Sequence, residues 1–318
     1  MRISSVQAVP RALLCAPLLS VVLLSACDSK PSVPTVASIK LTGPNGPLLL
    51  DTSTKLGVSV TGSDGLPFAQ TATFTSSDPT TLSVSSDGTL TARHLTAAAS
   101  PVIITAAVGG KSAVTTVGTY GLDVVGGTYT SAGNPAGYSF TATFRDAGGL
   151  TLTSDTDYTV QGPSTFNKGK PLTGTLYAAN AVTFHTGTDV PAVSGSYTAS
   201  IRVGTQSYTK TFTVDASMLL PLPSAAVTLS RSGYSVSGTL PAALQEAFLN
   251  VTANGSSVRR SAYFSALPTS GPWTSTLPAG TYATGIFARS YNGSQMGAVV
   301  FPDQINRSYA DTGTVTVP

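Results

Sequence analysis

Residues 74–92 read FTSSDPTTLSVSSDGTLTA, and the class of fold turns on this stretch. Phe74 closes an alternating run that ends at Ser77-Asp78-Pro79, where Pro cannot continue a ladder and Asp bonds its own backbone in a turn. Leu82-Ser83-Val84 alternates again and leads into Asp87-Gly88, the dipeptide that most favours a tight hairpin. Thr89-Leu90-Thr91-Ala92 then returns with period 2. Two strands of three or four residues joined by such a turn are too short to bury a core alone, so sheets must be stacked on one another.

The same grammar extends outward. Upstream, Ala37–Leu41 and the alternating Leu56, Val58 and Val60 read as strands. Downstream, Val102–Val108 and Ser112–Val117 flank Gly109-Gly110-Lys111 as a closing hairpin. With these residues in hand, 36–119 resembles the group 2 bacterial Ig-like domains of intimin- and invasin-type surface proteins. That family usually has Trp where Phe74 stands here, and a glycine where this chain has Thr96–Pro101. The resemblance implies an Ig-like sandwich.

Residues 120–216 repeat the pattern without a signature. Tyr138, Phe140 and Phe144 share one period-2 face; Tyr197, Ala199, Ile201 and Val203 share another, before a Gly204-Thr205-Gln206 turn. Residues 216–223 (ASMLLPLP) read as an apolar connector, because two prolines in three residues obstruct both helix and central strand. Residues 217–318 hold further short strands, with Pro241–Glu246 as a turn of helix. Residues 273–282 (WTSTLPAGTY) faintly resemble the hairpin of prealbumin-like and carboxypeptidase-regulatory-like modules. No long helical period occurs. The expected architecture is all-β, with two or three tandem Ig-like β-sandwiches.

The first 26 residues form a different kind of segment. Arg2 and Arg11 precede the uncharged run Ala12–Leu24, which is too short for a permanent membrane span of roughly 20 residues. It ends in Leu24-Ser25-Ala26-Cys27, which resembles the lipobox of bacterial lipoproteins. The resemblance implies cleavage between Ala26 and Cys27, diacylation of the Cys27 thiol, and attachment to a membrane. Residues 27–35 would be the lipidated linker, and Asp28 holds the position that retains some enterobacterial lipoproteins in the inner membrane. Cys15 would leave with the leader, so the one remaining cysteine has no internal disulfide partner. Net charge would fall from +3 to +1, since two arginines and no acids are removed. The only adjacent basic pair, Arg259-Arg260, is no patch of the sort nucleic acid requires, and it reads as solvated charge.

Catalytic constellations are missing from the pattern. Glu246 is the single glutamate, and the aspartates stand beside turn residues. No nucleophile elbow or phosphate loop occurs; Gly109-Gly110-Lys111-Ser112 lies between strands. His94 and His185 fall in different blocks and read as isolated surface or strand-end residues. Asp155 and Asp157 could give calcium two oxygens of the six to eight it needs, and a polar turn is the plainer reading. The expectation is a protein without enzymatic activity, cofactor or metal. It would be lipid-anchored in the cell envelope and would act as a structural, spacer or adhesion-type partner of an envelope protein or glycan. The alternative is a carbohydrate-binding module, in which Tyr263, Trp273, Tyr282 and Tyr291 are the candidate sugar-stacking aromatics.

Overall fold

Residues 33–96, 100–179, 182–291 and 304–318 are described by the computed structural model. The expected leader, the cleavage junction Ala26–Cys27 and Asp28 lie outside them. The chain is all-β, of the Ig-like sandwich class.

The first block carries β1 (Val36–Thr42), β2 (Leu48–Leu49), β3 (Ser53–Lys55), β4 (Gly57–Gly62), β5 (Thr73–Ser76), β6 (Leu82–Val84), β7 (Thr89–Ala92), β8 (Val102–Val108) and β9 (Lys111–Val117). β6 and β7 form the hairpin at Asp87-Gly88, with Leu82 opposite Ala92. β8 and β9 close at Gly109 and Gly110, both at positive φ, where only glycine turns without strain. Phe74 packs against both apolar clusters of this block and covers Gly88.

The second block comprises β10 (Thr119–Ser131), β11 (Gly137–Arg145), β12 (Thr156–Gln161), β13 (Leu172–Leu176), β14 (Thr183–Pro191), β15 (Gly195–Val203) and β16 (Gln206–Val214). A sheet ordered β13-β12-β15-β16 packs on β14-β11-β10. Between them lies an aromatic core of Tyr138, Phe140, Tyr158, Phe166, Tyr197 and Phe212. Phe140 packs edge-on to Phe212, with ring centroids 5.8 Å apart, a preferred arrangement for aromatic pairs.

The third block holds β17 (Ser224–Leu229), β18 (Gly233–Thr239), β19 (Glu246–Ala253), β20 (Ser256–Arg260), β21 (Thr269–Pro272), β22 (Gly280–Tyr291) and β23 (Ile305–Val317). Pro241–Glu246 forms no helix: Leu244 N–H donates to the Pro241 carbonyl in a single turn, and β19 begins at once. Sheet β17-β18-β21 covers the inward residues of β19, β22 and β23.

The blocks are not independent beads. One sheet runs β14-β11-β10-β23-β22-β19-β20, crossing from the second block into the third through parallel pairing of Tyr129–Ser131 with Arg307–Tyr309. β2 of the first block also pairs in parallel with the start of β10. The crossing needs Gly127, because a Cβ there would lie 1.8 Å from the Ile305 carbonyl oxygen. Polar groups lock the junction. Asn306 Oδ1 accepts from Thr128 N–H (3.1 Å), from Thr128 Oγ1 (3.0 Å) and from Gln304 Nε2 (2.7 Å). The connector is pinned too, with Thr128 Oγ1 donating to the Met218 carbonyl and Ser308 Oγ to that of Pro221.

β10 and β11 are consequently buried on both faces. Leu122, Val124, Phe140 and Phe144 face the second core. The opposite residues Asp123, Ser139, Thr141 and Thr143 are buried too: His94 of the first block lies against Asp123, and Arg307 of β23 covers Ser139 and Thr141.

Candidate functional site

Cross-strand register decides which side chains meet on the outer face of the shared sheet. Tyr129, Arg307, Arg289 and Glu246 stand side by side across β10, β23, β22 and β19. One step along, Tyr309, Phe287 and Phe248 form a second row. Phe287 stacks on Phe248 at 5.2 Å between ring centroids, and Tyr309 tilts against Phe287 at 4.5 Å. Phe184 joins them from β14, where it pairs with Thr141.

Members of these rows help to line a cavity of about 250 Å³ bounded by Phe184, Thr186, Phe248, Arg260, Tyr263, Phe287, Ala288, Arg289 and Arg307. Each arginine is held against a ring. Arg260 lies 4.2 Å from the Phe248 centroid, Arg289 lies 4.7 Å from that of Tyr263, and Arg307 lies 4.8 Å from that of Phe184. Such contacts orient guanidinium groups while leaving their N–H fork available. Arg289 and Arg307 are only 6% and 5% exposed, whereas Phe184 and Tyr263 at the mouth are half exposed.

The charge in this cavity is poorly balanced. Arg307 donates to the hydroxyls of Ser139 and of Thr141, the second at 2.6 Å, both neutral acceptors. Burial, reinforced by the charge of Arg289, pushes Arg307 down to about 9, which still leaves it a cation at neutral pH. Arg289 Nη2 makes ionic contact with Glu246 Oε1 at 2.7 Å, but without hydrogen-bond alignment. Both Glu246 Oε1 and Arg289 Nε lack a hydrogen-bond partner among the described residues.

The aromatics expected to stack on sugar do not assemble. Trp273 is buried in the third core, donating Nε1–H to the Ser230 carbonyl at 3.2 Å. Tyr282 is buried as well, with its hydroxyl donating to the Pro278 carbonyl. Tyr291 is half-buried against the first core, because β22 carries it beyond its own block. Of the four, Tyr263 alone is exposed, at the arginine cavity. Sequence reasoning missed Arg289, Arg307, Phe184 and Phe248; the sequence signal was aromatic and basic residues sharing one parity on β22 (Phe287, Arg289) and β23 (Arg307, Tyr309). The Arg259-Arg260 pair splits: Arg259 bonds Ser275 Oγ and the Thr276 carbonyl, and Arg260 turns over Phe248.

The histidines also depart from expectation. His94 is buried where the first block docks on β10, its Nδ1 lying 3.2 Å from Asp123 Oδ1. Burial alone would raise the Asp123 carboxyl. The charge and hydrogen bond of His94, the charge of Lys210 and the Leu95 N–H outweigh it and hold the group below its ordinary value. The neighbouring Thr119 hydroxyl donates to the His94 backbone carbonyl, not to the ring. Lys210, also buried, spans the same junction, its Nζ donating to Asp51 Oδ1 at 2.8 Å and to the Arg93 carbonyl. His185 sits half-buried, its Nε2 lying 3.3 Å from the Tyr138 hydroxyl, and burial lowers its pKa against the opposing charge of Asp189. Asp155 and Asp157 serve separate partners, the Ala178 N–H and the Thr175 hydroxyl. Among the described residues, no three His, Cys, Asp or Glu side chains gather in a metal-binding group, and no helix is long and apolar enough to cross a membrane.

No family model matches the chain, and none of the curated proteins does. Solved structures resemble it distantly. Domains 5–6 of the S-layer protein SbsC are 15% identical over 57% of this chain and 98% of that one, with a TM-score of 0.24. Titin domains A168–A170 are 13% identical over 89% and 99%, with a TM-score of 0.20. The chicken CNTN1 FN1–FN3 domains are 13% identical over 87% and 99%, with a TM-score of 0.21. Likenesses this distant concern the fold alone.

Proposed function

We propose that the chain is a lipid-tethered protein of the bacterial cell envelope that works as a structural or adhesion-type interaction unit. The observation that carries the interaction role is the fusion of blocks through β10 and β23. A shared sheet, the Asn306–Thr128 bonds and the Lys210–Asp51 bridge fix the blocks in one arrangement. That suits a surface that must present loops and faces in a set geometry. The tether rests on Leu24-Ser25-Ala26-Cys27, and the envelope location follows from it.

The reading is tested in intact cells by labelling with a palmitate analogue and by crosslinking followed by pull-down. Label lost in a Cys27→Ala variant, together with one dominant protein partner, supports it. Label that persists in that variant refutes the tether. Recovery of wall or surface glycan as the main product would favour the carbohydrate-binding alternative, which keeps Tyr263 of its four candidate aromatics.

A further inference from the structure

The outer-face cavity stores positive charge for which the fold supplies little compensation. Three guanidinium groups meet there, and among the described residues Glu246 is the carboxylate in contact with them. Burying a cation without an anionic partner is expensive, and well-packed apolar residues would stabilise the same sheet better. Arg307 nonetheless reaches to two neutral hydroxyls of β11, and Arg289 keeps a buried Nε–H with no acceptor among the described residues. Phe184 and Tyr263 stand at the mouth as half-exposed apolar walls.

We propose that this cavity binds a compact organic oxyanion, a carboxylate or phosphate ester carried on a single ring. The oxyanion faces Arg289, Arg307 and Arg260 and supplies the missing negative charge. Guanidinium forks match carboxylate and phosphate geometry in pairs of hydrogen bonds. The ring lies at the mouth, against the exposed apolar surfaces of Phe184 and Tyr263. A volume of about 250 Å³ equals about eight waters of ~30 Å³ each, enough for one ring and its acid group but not for an oligomer held whole. The site is independent of the lipid anchor and of the proposed envelope role.

The test titrates the purified whole chain with benzoate, phenyl phosphate and glucuronate, and with the neutral counterparts benzamide and glucose. Ionic strength is held constant with chloride, and binding is read by calorimetry and by the rise in unfolding temperature. At least one anion saturates, and its neutral counterpart binds at least about tenfold more weakly, the discrimination expected for charge-assisted hydrogen bonds. Arg260 and Tyr263 are exposed and their replacement leaves the core intact, so Arg260→Gln and Tyr263→Ala are the informative variants. Both keep the wild-type circular dichroism, and each weakens anion binding about fivefold or more. Glucuronate outbinding benzoate identifies a sugar acid as the ring, whereas the reverse identifies an aromatic acid; either supports the site. Absence of saturation by all three anions overturns the proposal. So does equal binding of the neutral compounds, or anion binding that both variants leave unchanged.

Discussion

Gly127→Ala is the smallest change that should separate the second block from the third. The added methyl would lie 1.8 Å from the Ile305 carbonyl oxygen and 2.5 Å from its carbon. Carbon–oxygen contact requires roughly 3.3 Å, so β23 must retreat by about 1.5 Å, and backbone cannot swing aside as a side-chain tip would. Overpacking of this kind costs about 1–3 kcal/mol. The retreat also strains the Asn306 bonds to Thr128, at 3.0 and 3.1 Å, and leaving such buried groups unsatisfied adds about 1–3 kcal/mol. The expected loss is therefore about 2–6 kcal/mol, or a fall in unfolding temperature of at least roughly 4 °C for a chain of this size. Calorimetry should further show the transition split, with the third block melting apart from the second. Gly46→Ala is the control, since nothing lies within 4 Å of the added carbon; it should change stability by less than about 0.5 kcal/mol. A single transition in Gly127→Ala, within a degree of the wild type, would refute the claim that this crossing couples the blocks.

Other expectations follow from the same contacts. Lys210→Met should destabilise by about 1–3 kcal/mol, and a double-mutant cycle with Asp51→Asn should return a coupling of about 0.5–3 kcal/mol; additive effects in urea unfolding would sink the bridge. Asp123 is held below its ordinary value, so its contribution is complete above the usual carboxylate range and disappears as pH falls through the lower folded value. An Asp123→Asn variant should thus lose less stability than the wild type on acidification, and parallel pH profiles would disprove this. His185 is lowered from 6.5, so the unfolded chain takes its proton first and stability declines as pH drops below about 6.5; His185→Gln should flatten that limb. Trp273 is the single tryptophan and is buried, so native emission should be blue-shifted and insensitive to added sugars. Trp273→Ala should cost about 3–5 kcal/mol in chemical unfolding.

Local turn chemistry made part of this fold legible. Asp87-Gly88 and Gly109-Gly110 specify hairpins within a few residues, and the alternation Tyr138, Phe140, Phe144 marks a core face whatever lies elsewhere. The opposite face of β11 carries no local sign of its burial. Ser139, Thr141 and Thr143 look like a solvent side until β23, more than 160 residues later in the chain, brings Arg307 to cover two of them. His94 was misread because Asp123 approaches only when blocks dock. Tryptophan and tyrosine at alternating positions serve a core and a sugar platform equally well, and nothing local told Trp273 from Tyr263. The arginine cavity is built from five strands and one crossing, and no window of sequence contains it.

The placement of β23 has a consequence for how the protein is made. Thr128 and Asn306 are 178 residues apart, and a ribosome delivers everything between them first. Until residues 305–317 emerge, β10 stands with one flank unsatisfied and β22 lacks the neighbour it needs on the other side. Open flanks of that kind invite pairing with other chains, and closure across so long a loop is slow. The junction between the second and third blocks therefore cannot form until β23 is available to pair with both β10 and β22.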